Sequence, residues 1–418
     1  MAILGKSNDS IFMERIFSRS TTWSPPFDCR AYVTVIGAGA SGASARNTSD
    51  NRAGAASGGG AGGCGKSLLR LDSSVTYYIT IGAGGTSVTG ITGTAFGVDG
   101  QKSVFADGND PDADAIITAT GGIKGIQAVA ADVVATQAGG VGGSATGGNI
   151  WNVTGGAGGS ATVSWYEVAG IHNAAAGGGA PGILGESFRG GNALLSVDGY
   201  NKYAATGGGG VGGRGGDATL SGGHTNYAMT QGGAGDHAGD DVSHATASTG
   251  KGCWNWATDG DNPVRNKCYD LTARLGINAA GRGVSGAYNG TTYEKWKDAA
   301  QASSGKAASI FHGLTGQGAT RTQGDHYSSA GPGAGGGGYA YYAIDWTYTY
   351  MSPGLFGGGG GGIPNYADST YSTNIGYSGA GSFGAGGGAI AGYASSSNAH
   401  NSGTGGAGLV VVTILEAL

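Results

Sequence analysis

The chain has 418 residues, of which 93 are glycine, 12% are charged and 9% are aromatic, a composition unlike that of an ordinary enzyme domain. The formal net charge of −5 without any basic stretch gives no electrostatic case for a nucleic-acid partner, and 8 prolines without a Gly-X-Y period exclude collagen. Low charge also argues against disorder, and 20 tyrosines with 7 tryptophans supply the apolar surface of a folded protein.

The first twenty residues contain no glycine run. Their apolar and charged side chains are interleaved at Ile11, Phe12, Glu14, Arg15, Ile16, Phe17 and Arg19. This pattern predicts a short helix or an arm that either docks the protein onto a larger assembly or packs on its own domain. Because the segment lacks the features of a signal peptide and no long apolar stretch occurs, we expect synthesis in the cytoplasm and no membrane insertion.

Three runs rich in β-branched and aromatic residues predict β-strands: Arg30–Ile36, Val75–Ile81 and Leu409–Leu415. The first two end at glycine, and the third closes the chain. Strands at both ends of the glycine-rich region pair most simply with one another, which would tie the two ends together at a base.

Glycine runs fill the chain between these strands. The longest consists of six glycines at 357–362, and others occur at 58–63, 139–148, 155–159, 177–179, 207–216, 331–338, 384–388 and 403–408. Such runs can all be ordered as extended helices with about three residues per turn, whose backbone groups point outward to neighbouring helices. We therefore predict a mainly β and irregular fold, in which a bundle of glycine helices is flanked by β-strands.

Gly37, Gly39 and Gly42 follow a predicted strand with the spacing of a dinucleotide-binding loop. The residues that follow are serine, asparagine, glycine and alanine without the periodicity of a helix, which such a site requires to hold the pyrophosphate. In a chain with this glycine content the spacing is expected by chance.

The sequence GAGGCGKS at 60–67 fits the phosphate-binding P-loop, in which Lys66 and Ser67 would hold a nucleotide. A P-loop needs a buried strand before it and a helix after it, whereas ASGGG precedes this motif and a strand pattern follows. We expect no enzyme activity and no cofactor. An ATP-binding enzyme that uses Lys66 and Ser67 is kept as an alternative hypothesis.

Metal and thiol chemistry have little support. Asp110, Asp112 and Asp114 alternate as in a calcium loop but lack its later glycine and glutamate. The cluster of acidic and histidine residues at 236–244 is typical of a solvated loop, so we predict no metal site. Four cysteines favour buried free thiols, with a bridge between Cys253 and Cys268 as the alternative.

Aromatic residues cluster between the glycine runs of the second half, including Tyr366, Tyr371, Tyr377 and Tyr393. Tyrosine and tryptophan combine a rigid apolar surface with a polar group, which suits binding and stacking on sugars. For the stretch 339–350, YAYYAIDWTYTY, a core strand is an equal alternative. Our candidate receptor-binding residues are Trp254, Trp256, Tyr288, Tyr293, Trp296, Tyr342 and Trp346.

From Trp23 to Leu418 the chain resembles the glycine-rich tail-fibre and adhesin proteins of bacteriophages. The resemblance rests on WSPP, AYVTVIGAGASGASA, GGGAGG, VTYYITIGAGG, ITATGG and the final GGAGLVVVTIL. It implies a polyglycine II sandwich whose variable loops touch host surface receptors, which we expect to be a glycan or an outer-membrane protein of the host bacterium. We divide the chain into an attachment arm at 1–22, a base at 23–120 and a bundle with receptor-binding loops at 121–418, closed by strand 409–415. Expected partners are other virion tail proteins and a host receptor, with a homotrimer as a possible assembly. The alternative is a structural virion component, such as a capsid decoration or tail connector.

Overall fold

A computed structural model describes the backbone of residues 3–7, 10–47, 53–90, 94–130, 135–163, 172–182, 185–195, 202–210, 213–220, 226–229, 242–244, 320–322, 325–327, 341–343, 348–350, 359–360, 362–367, 375–393 and 400–418. In these ranges the protein is built from β-strands and irregular segments, without a helix. Two sheets form a base, glycine runs lead away from it, and four further sheets lie at the opposite end, which we call the distal end.

The first base sheet has six strands. In spatial order they are β1 (Ile3–Ser7), β2 (Ser10–Phe17), β32 (Leu409–Ala417), β4 (Cys29–Ile36), β7 (Cys64–Leu71) and β16 (Trp151–Val153). All neighbouring pairs are antiparallel. The predicted pairing of the two ends of the glycine-rich region is confirmed, because β32 lies between β2 and β4. The helix alternative for the first residues is wrong, since Met13–Phe17 pair with Val410–Ile414.

The second base sheet packs on the first. Its strands, in spatial order, are β15 (Ala145–Thr146), β12 (Ala115–Ala119), β11 (Ser103–Ala106), β8 (Tyr77–Thr80) and β3 (Thr21–Trp23). Alternate residues of β4 and β32, including Val33, Val35, Val410 and Val412, are fully buried between the sheets, as strand geometry requires. This side-chain core holds the base together.

Every third amide of the run 37–43 donates to the same neighbouring run. Each bond runs from a backbone amide to a backbone carbonyl and is 2.8 to 3.2 Å long. To the run around 60 these are Gly37 to Gly63, Ala40 to Gly60 and Ala43 to Ser57; to the run around 100, Ala38 to Gln101 and Ser41 to Val98; and to the run around 405, Gly39 to Gly406 and Gly42 to Gly403. A period of three is that of the polyproline II helix, so these bonds confirm the predicted glycine helices.

The run 37–43 is surrounded by six others. It donates to the runs around 60, 100 and 405, and its carbonyl groups accept bonds from Gly85, Gly122, Gly125, Gly387 and Ile390. A Cβ added at Gly59 would lie closer than 3.0 Å to the carbonyl of Ala40, so the backbones touch. Inter-helix hydrogen bonds thus replace a side-chain core in the bundle.

The distal sheets stack in four layers, layer 1 to layer 4. Layer 1 contains β24 (Thr320–Thr322), β25 (Asp325–Tyr327), β27 (Tyr348–Tyr350), β29 (Ile375–Tyr377), β31 (His400–Asn401) and β9 (Thr89–Gly90). Layer 2 contains β10 (Thr94–Ala95), β5 (Ser44–Asn47), β30 (Ile390–Tyr393), β28 (Ile363–Ala367) and β26 (Tyr341–Ala343).

Layers 3 and 4 follow the same plan. Layer 3 contains β13 (Gln127–Ala130), β6 (Ala53–Ala56), β18 (His172–Ala175), β20 (Lys202–Ala205) and β22 (Asn226–Met229). Layer 4 contains β14 (Ala135–Gln137), β17 (Ala161–Val163), β19 (Ala193–Leu195), β21 (Ala218–Leu220) and β23 (Val242–His244). Between layers 2, 3 and 4 the buried residues are almost all alanine, whose small side chains let the sheets continue the close spacing of the bundle.

Candidate functional site

Strand direction determines what lies at the distal end. The strand β5 continues the run that leaves the base after β4, and β30, β28 and β26 are parallel to it. In layer 3, β6 leads back to the base, and β18, β20 and β22 are parallel to β6. Neighbouring layers therefore run in opposite directions, and successive strands alternate between them.

The segments that join an outgoing strand to the next returning strand consequently start and finish at the distal end. They comprise residues 48–52, 91–93, 131–134, 164–171, 196–201, 221–225, 323–324, 344–347, 368–374 and 394–399, which lie outside the described residues. Many separate connections at one end of a rigid scaffold are an arrangement typical of binding surfaces. This end is our candidate functional site.

Tyrosine and asparagine occupy matching positions next to these connections. In layer 2, Tyr342 pairs with Tyr366, Tyr366 with Tyr393, and Tyr393 with Asn47. In layer 3, Asn173 is level with Tyr203 and Tyr227. The strands therefore carry tyrosine and asparagine, instead of alanine, at the positions next to the distal connections. These two residue types are common in surfaces that bind other molecules.

Of the seven candidate residues predicted from the sequence, the structure describes the backbone of Tyr342 alone. Trp254, Trp256, Tyr288, Tyr293, Trp296 and Trp346 lie outside the described residues. The backbone of Tyr342 is placed in β26, and the stretch 339–350 supplies two strands, β26 and β27, separated by 344–347. Tyr203 and Tyr227 were absent from our candidates, although both precede alanine and then a glycine-rich segment.

The P-loop-like sequence lies at the point where the bundle meets the base, and its last four residues belong to β7. Lys66 lies on β7, and its Nζ is 4.7 Å from the ring centroid of Tyr32 and 4.8 Å from that of Trp151. The hydroxyl of Ser67 donates to the carbonyl of Gly147 and accepts from the amide of Asn149, both at 2.9 Å. Both side chains that would hold a nucleotide are thus engaged by neighbours within the base.

The backbone amides of this sequence are engaged as well. They donate at 2.7 to 3.0 Å to carbonyl groups: Gly60 to Ile123, Ala61 to Gly156, Gly62 to Gly384 and Gly63 to Thr120. A phosphate nest needs these amides to converge on an anion. Here they point in successive directions to other runs, and β7 follows where a P-loop requires a helix.

Comparison with known proteins places the chain in a family. A family model described as a glycine-rich domain matches residues 17–260, more than half of the sequence. The chain belongs to the glycine-rich domain family. A search of curated proteins found no match. The architecture of the glycine-rich domain continues beyond the matched range. The amide of Gly387 donates to the carbonyl of Ala40, and the amide of Gly403 donates to the carbonyl of Gly388.

The turn that contains Asp110, Asp112 and Asp114 is held by hydrogen bonds from its own backbone amides to its carboxylates. Asp110 accepts hydrogen bonds from the amides of Asp112 and Ala113, which lower the pKa of its carboxyl. Asp114 accepts from the amide of Asp110, and Lys102 forms an ion pair with Asp112. In the part of the chain that the structure describes, no group of three possible metal ligands occurs, and no helix is long and apolar enough to cross a membrane.

The two cysteines of the described base, Cys29 and Cys64, are buried and unpaired, as predicted for this pair. Burial raises the pKa of Cys29, and it raises the pKa of Cys64 to about 11, although Trp151 and Lys66 lower it in part. A neutral buried thiol is a poor nucleophile. Cys253, Cys268 and the acidic and histidine side chains at 236–244 lie outside the described side chains.

Proposed function

We propose that this protein is a receptor-binding protein of a bacteriophage virion, a tail fibre or tail-tip adhesin. It recognises a glycan or an outer-membrane protein on the host bacterium. The observation that carries the proposal is the topology of the distal layers, which brings separate connecting segments to the end opposite the base.

Chemistry supports the same end of the molecule. A glycine bundle offers few side chains, so recognition has to come from residues that interrupt it or border it. The rows that contain Tyr366 and Tyr203 border the connections. Trp346 belongs to the four residues that join β26 to β27. Tyrosine, tryptophan and asparagine bind with little loss of side-chain entropy and stack on sugar rings.

The other end is available for attachment. In this proposal the base and residues 1–22 hold the protein to other tail proteins, in the virion and away from the host surface. The chain is made in the host cytoplasm and acts without nucleic acid, cofactor or enzyme activity. The first base sheet supplies a rigid platform, because its core residues Val33, Val412 and Ile414 are fully buried.

Adsorption to host cells tests the proposal. The purified chain is expected to bind cells of the correct host and to block infection. Exchange of 344–347 for four glycine and serine residues is expected to weaken adsorption, whereas the same exchange of 107–110, in the β11–β12 hairpin of the base, is expected to leave it unchanged. A protein that is incorporated into virions but never adsorbs to host cells would favour the structural alternative.

A further inference from the structure

We propose that the first base sheet is an interface between two copies of this chain. The relevant surface is the side of the sheet that faces away from the core, here called the outer base face. Its members are Glu14, Ile16, Arg30, Tyr32, Thr34, Lys66, Leu68, Arg70, Trp151, Val411, Thr413 and Glu416. This inference concerns the base and does not depend on receptor binding.

Strand register defines the outer base face. Ile16 pairs with Val411, Val411 with Thr34, Thr34 with Lys66, and Lys66 with Trp151. Directly paired residues of antiparallel strands lie on the same side of the sheet. The alternate residues Val33 and Val412 are buried in the core, so this row faces outward.

Apolar side chains run across the outer base face, whereas its charged members Arg30, Arg70 and Glu416 lie at one end of the strands. Ile16 is 63% exposed, and Val411, Leu68, Tyr32 and Trp151 are partly exposed along the same side. An antiparallel sheet with one face in water usually carries polar residues there. Clustered apolar residues on such a face are typical of an interaction surface.

Charge explains why the partner is a second copy. A two-fold axis that runs along the strands, between β32 and β4, places β2 of one copy over β7 of the other. On the outer base face β2 carries Glu14, whereas β7 carries Lys66 and Arg70. The acidic edge of each copy therefore faces the basic edge of the other, and the contact forms twice by symmetry.

The ammonium of Lys66 is already held in place for this contact. The rings of Tyr32 and Trp151 flank the ammonium of Lys66 at 4.7 and 4.8 Å. Arg30, by contrast, is paired with Glu416 on its own sheet at 3.3 Å. A preorganised cation loses less side-chain entropy on association, and exclusion of water strengthens cation–π attraction.

The available area is sufficient. The strands β2, β32, β4 and β7 contain 8, 9, 8 and 8 residues. With strands about 4.8 Å apart and a rise of about 3.3 Å per residue, they cover roughly 500 Å² per copy. Two paired faces bury roughly 1,000 Å², which is about the minimum for a biological interface and typical of a weak one.

The mass of the full chain in solution tests the proposal by sedimentation velocity. The parent is expected to form a species of two chains. Val411→Lys places a charge at the centre of the interface and is expected to raise the dissociation constant of the pair at least about tenfold. Thr80→Lys, on the outward side of β8 in the second base sheet, is the matched control and is expected to leave the pair intact. Melting followed by circular dichroism verifies that both variants fold.

A charge exchange provides the second test. Glu14→Lys alone and Arg70→Glu alone are each expected to weaken the pair, and the double variant is expected to recover it, because opposite charges face each other again. A parent that stays monomeric at about 100 μM, well above the Kd of a specific interface, would overturn the proposal, as would a trimer. Equal effects of Val411→Lys and Thr80→Lys, or no recovery in the double variant, would also overturn it.

Discussion

The amide of Gly359 donates to the carbonyl of Gly209 at 2.7 Å, so two glycine runs that are far apart in the sequence touch backbone to backbone. Gly209 in turn donates to Gly178, and Gly178 donates to Gly360. These contacts leave no room for a side chain. A Cβ on Gly359 would lie closer than 3.0 Å to the carbonyl of Gly178, and a Cβ on Gly209 would lie equally close to the carbonyl of Phe188.

We predict that Gly359→Val and Gly209→Val each destabilise the fold by about 3 kcal/mol, because the added side chain forces packed backbones apart. Chemical denaturation measures this loss. Gly185→Ala is the control: Gly185 has a φ of 91° but nothing within 4 Å of an added Cβ, so only about 1 kcal/mol of backbone strain is expected. Valine variants that unfold like the parent would refute the glycine bundle.

Lys66→Ala is predicted to lower stability by about 1 kcal/mol, since the cation–π contacts with Tyr32 and Trp151 are lost. Lys66→Met is the control, because it keeps most of the apolar stem and should recover part of the packing. Calorimetric titration of the parent with ATP is expected to give no binding heat. Saturable ATP binding that disappears in Lys66→Ala would revive the P-loop hypothesis.

Ser57→Ala is predicted to destabilise the bundle by about 1 to 3 kcal/mol. The buried Ser57 hydroxyl donates to the carbonyl of Ile126 and accepts from its amide, at 2.9 and 2.8 Å, so alanine leaves an amide without its acceptor. The measurement is the denaturation midpoint, with the exposed Ser18→Ala as control. Equal midpoints for the two variants would contradict the predicted role of the hydroxyl.

Stability is predicted to fall as the pH rises from about 9 to about 11. The folded state holds Cys64 protonated, with a pKa raised from 9.0 to about 11, while the unfolded chain ionises earlier. Stability from this thiol is therefore constant below pH 9 and is lost above it. Cys64→Ala should reduce the slope, and the remainder should reflect Cys29 and Tyr77, whose pKa values burial also raises. An unchanged slope would argue against a buried neutral thiol.

The base and the glycine helices could be predicted because their signals are local. The runs 30–36, 75–81 and 409–415 are strand sequences whatever surrounds them, and they became β4, β8 and β32. The period of three in the bundle follows from glycine itself, since no other regular structure suits so many runs.

The parts that could not be predicted depend on distant residues. Glycine runs are nearly identical, so nothing in the run 37–43 specifies that its neighbours are the runs at 60, 100 and 405. Residues 10–17 have an ambiguous period, and their strand structure follows from pairing with β32 at the other end of the chain. Lys66 matches a P-loop in sequence, whereas its surroundings, Tyr32 and Trp151, are supplied by other strands.

At the distal end, aromatic composition indicated binding loops but not which residues lie level with one another. That information comes from the parallel register of Tyr342, Tyr366 and Tyr393 on strands that are separated by glycine runs. Chain connectivity adds that 344–347 borders the same row. The row and this connection can therefore be tested together with the tryptophans and tyrosines predicted from sequence.

We predict that receptor binding depends on a few aromatic anchors at this end. Alanine variants of the candidates are to be tested singly: Trp254, Trp256, Tyr288, Tyr293, Trp296, Tyr342 and Trp346. Loss of a true anchor should cost about 2 kcal/mol or more, roughly a thirtyfold loss of affinity, because hot spots concentrate in tryptophan and tyrosine. Host-cell adsorption of each variant measures the effect.

Tyr78→Ala provides the matched control, since Tyr78 lies on the outward side of β8 in the base and is expected to contribute nothing to adsorption. Circular dichroism and melting separate lost contacts from lost folding. If all seven variants adsorb like the parent while substitutions within 11–17 abolish adsorption, recognition resides at the base. In that case the exposed side of β2, rather than the distal end, would be the surface that meets the host, because Ile16 on that side is 63% exposed.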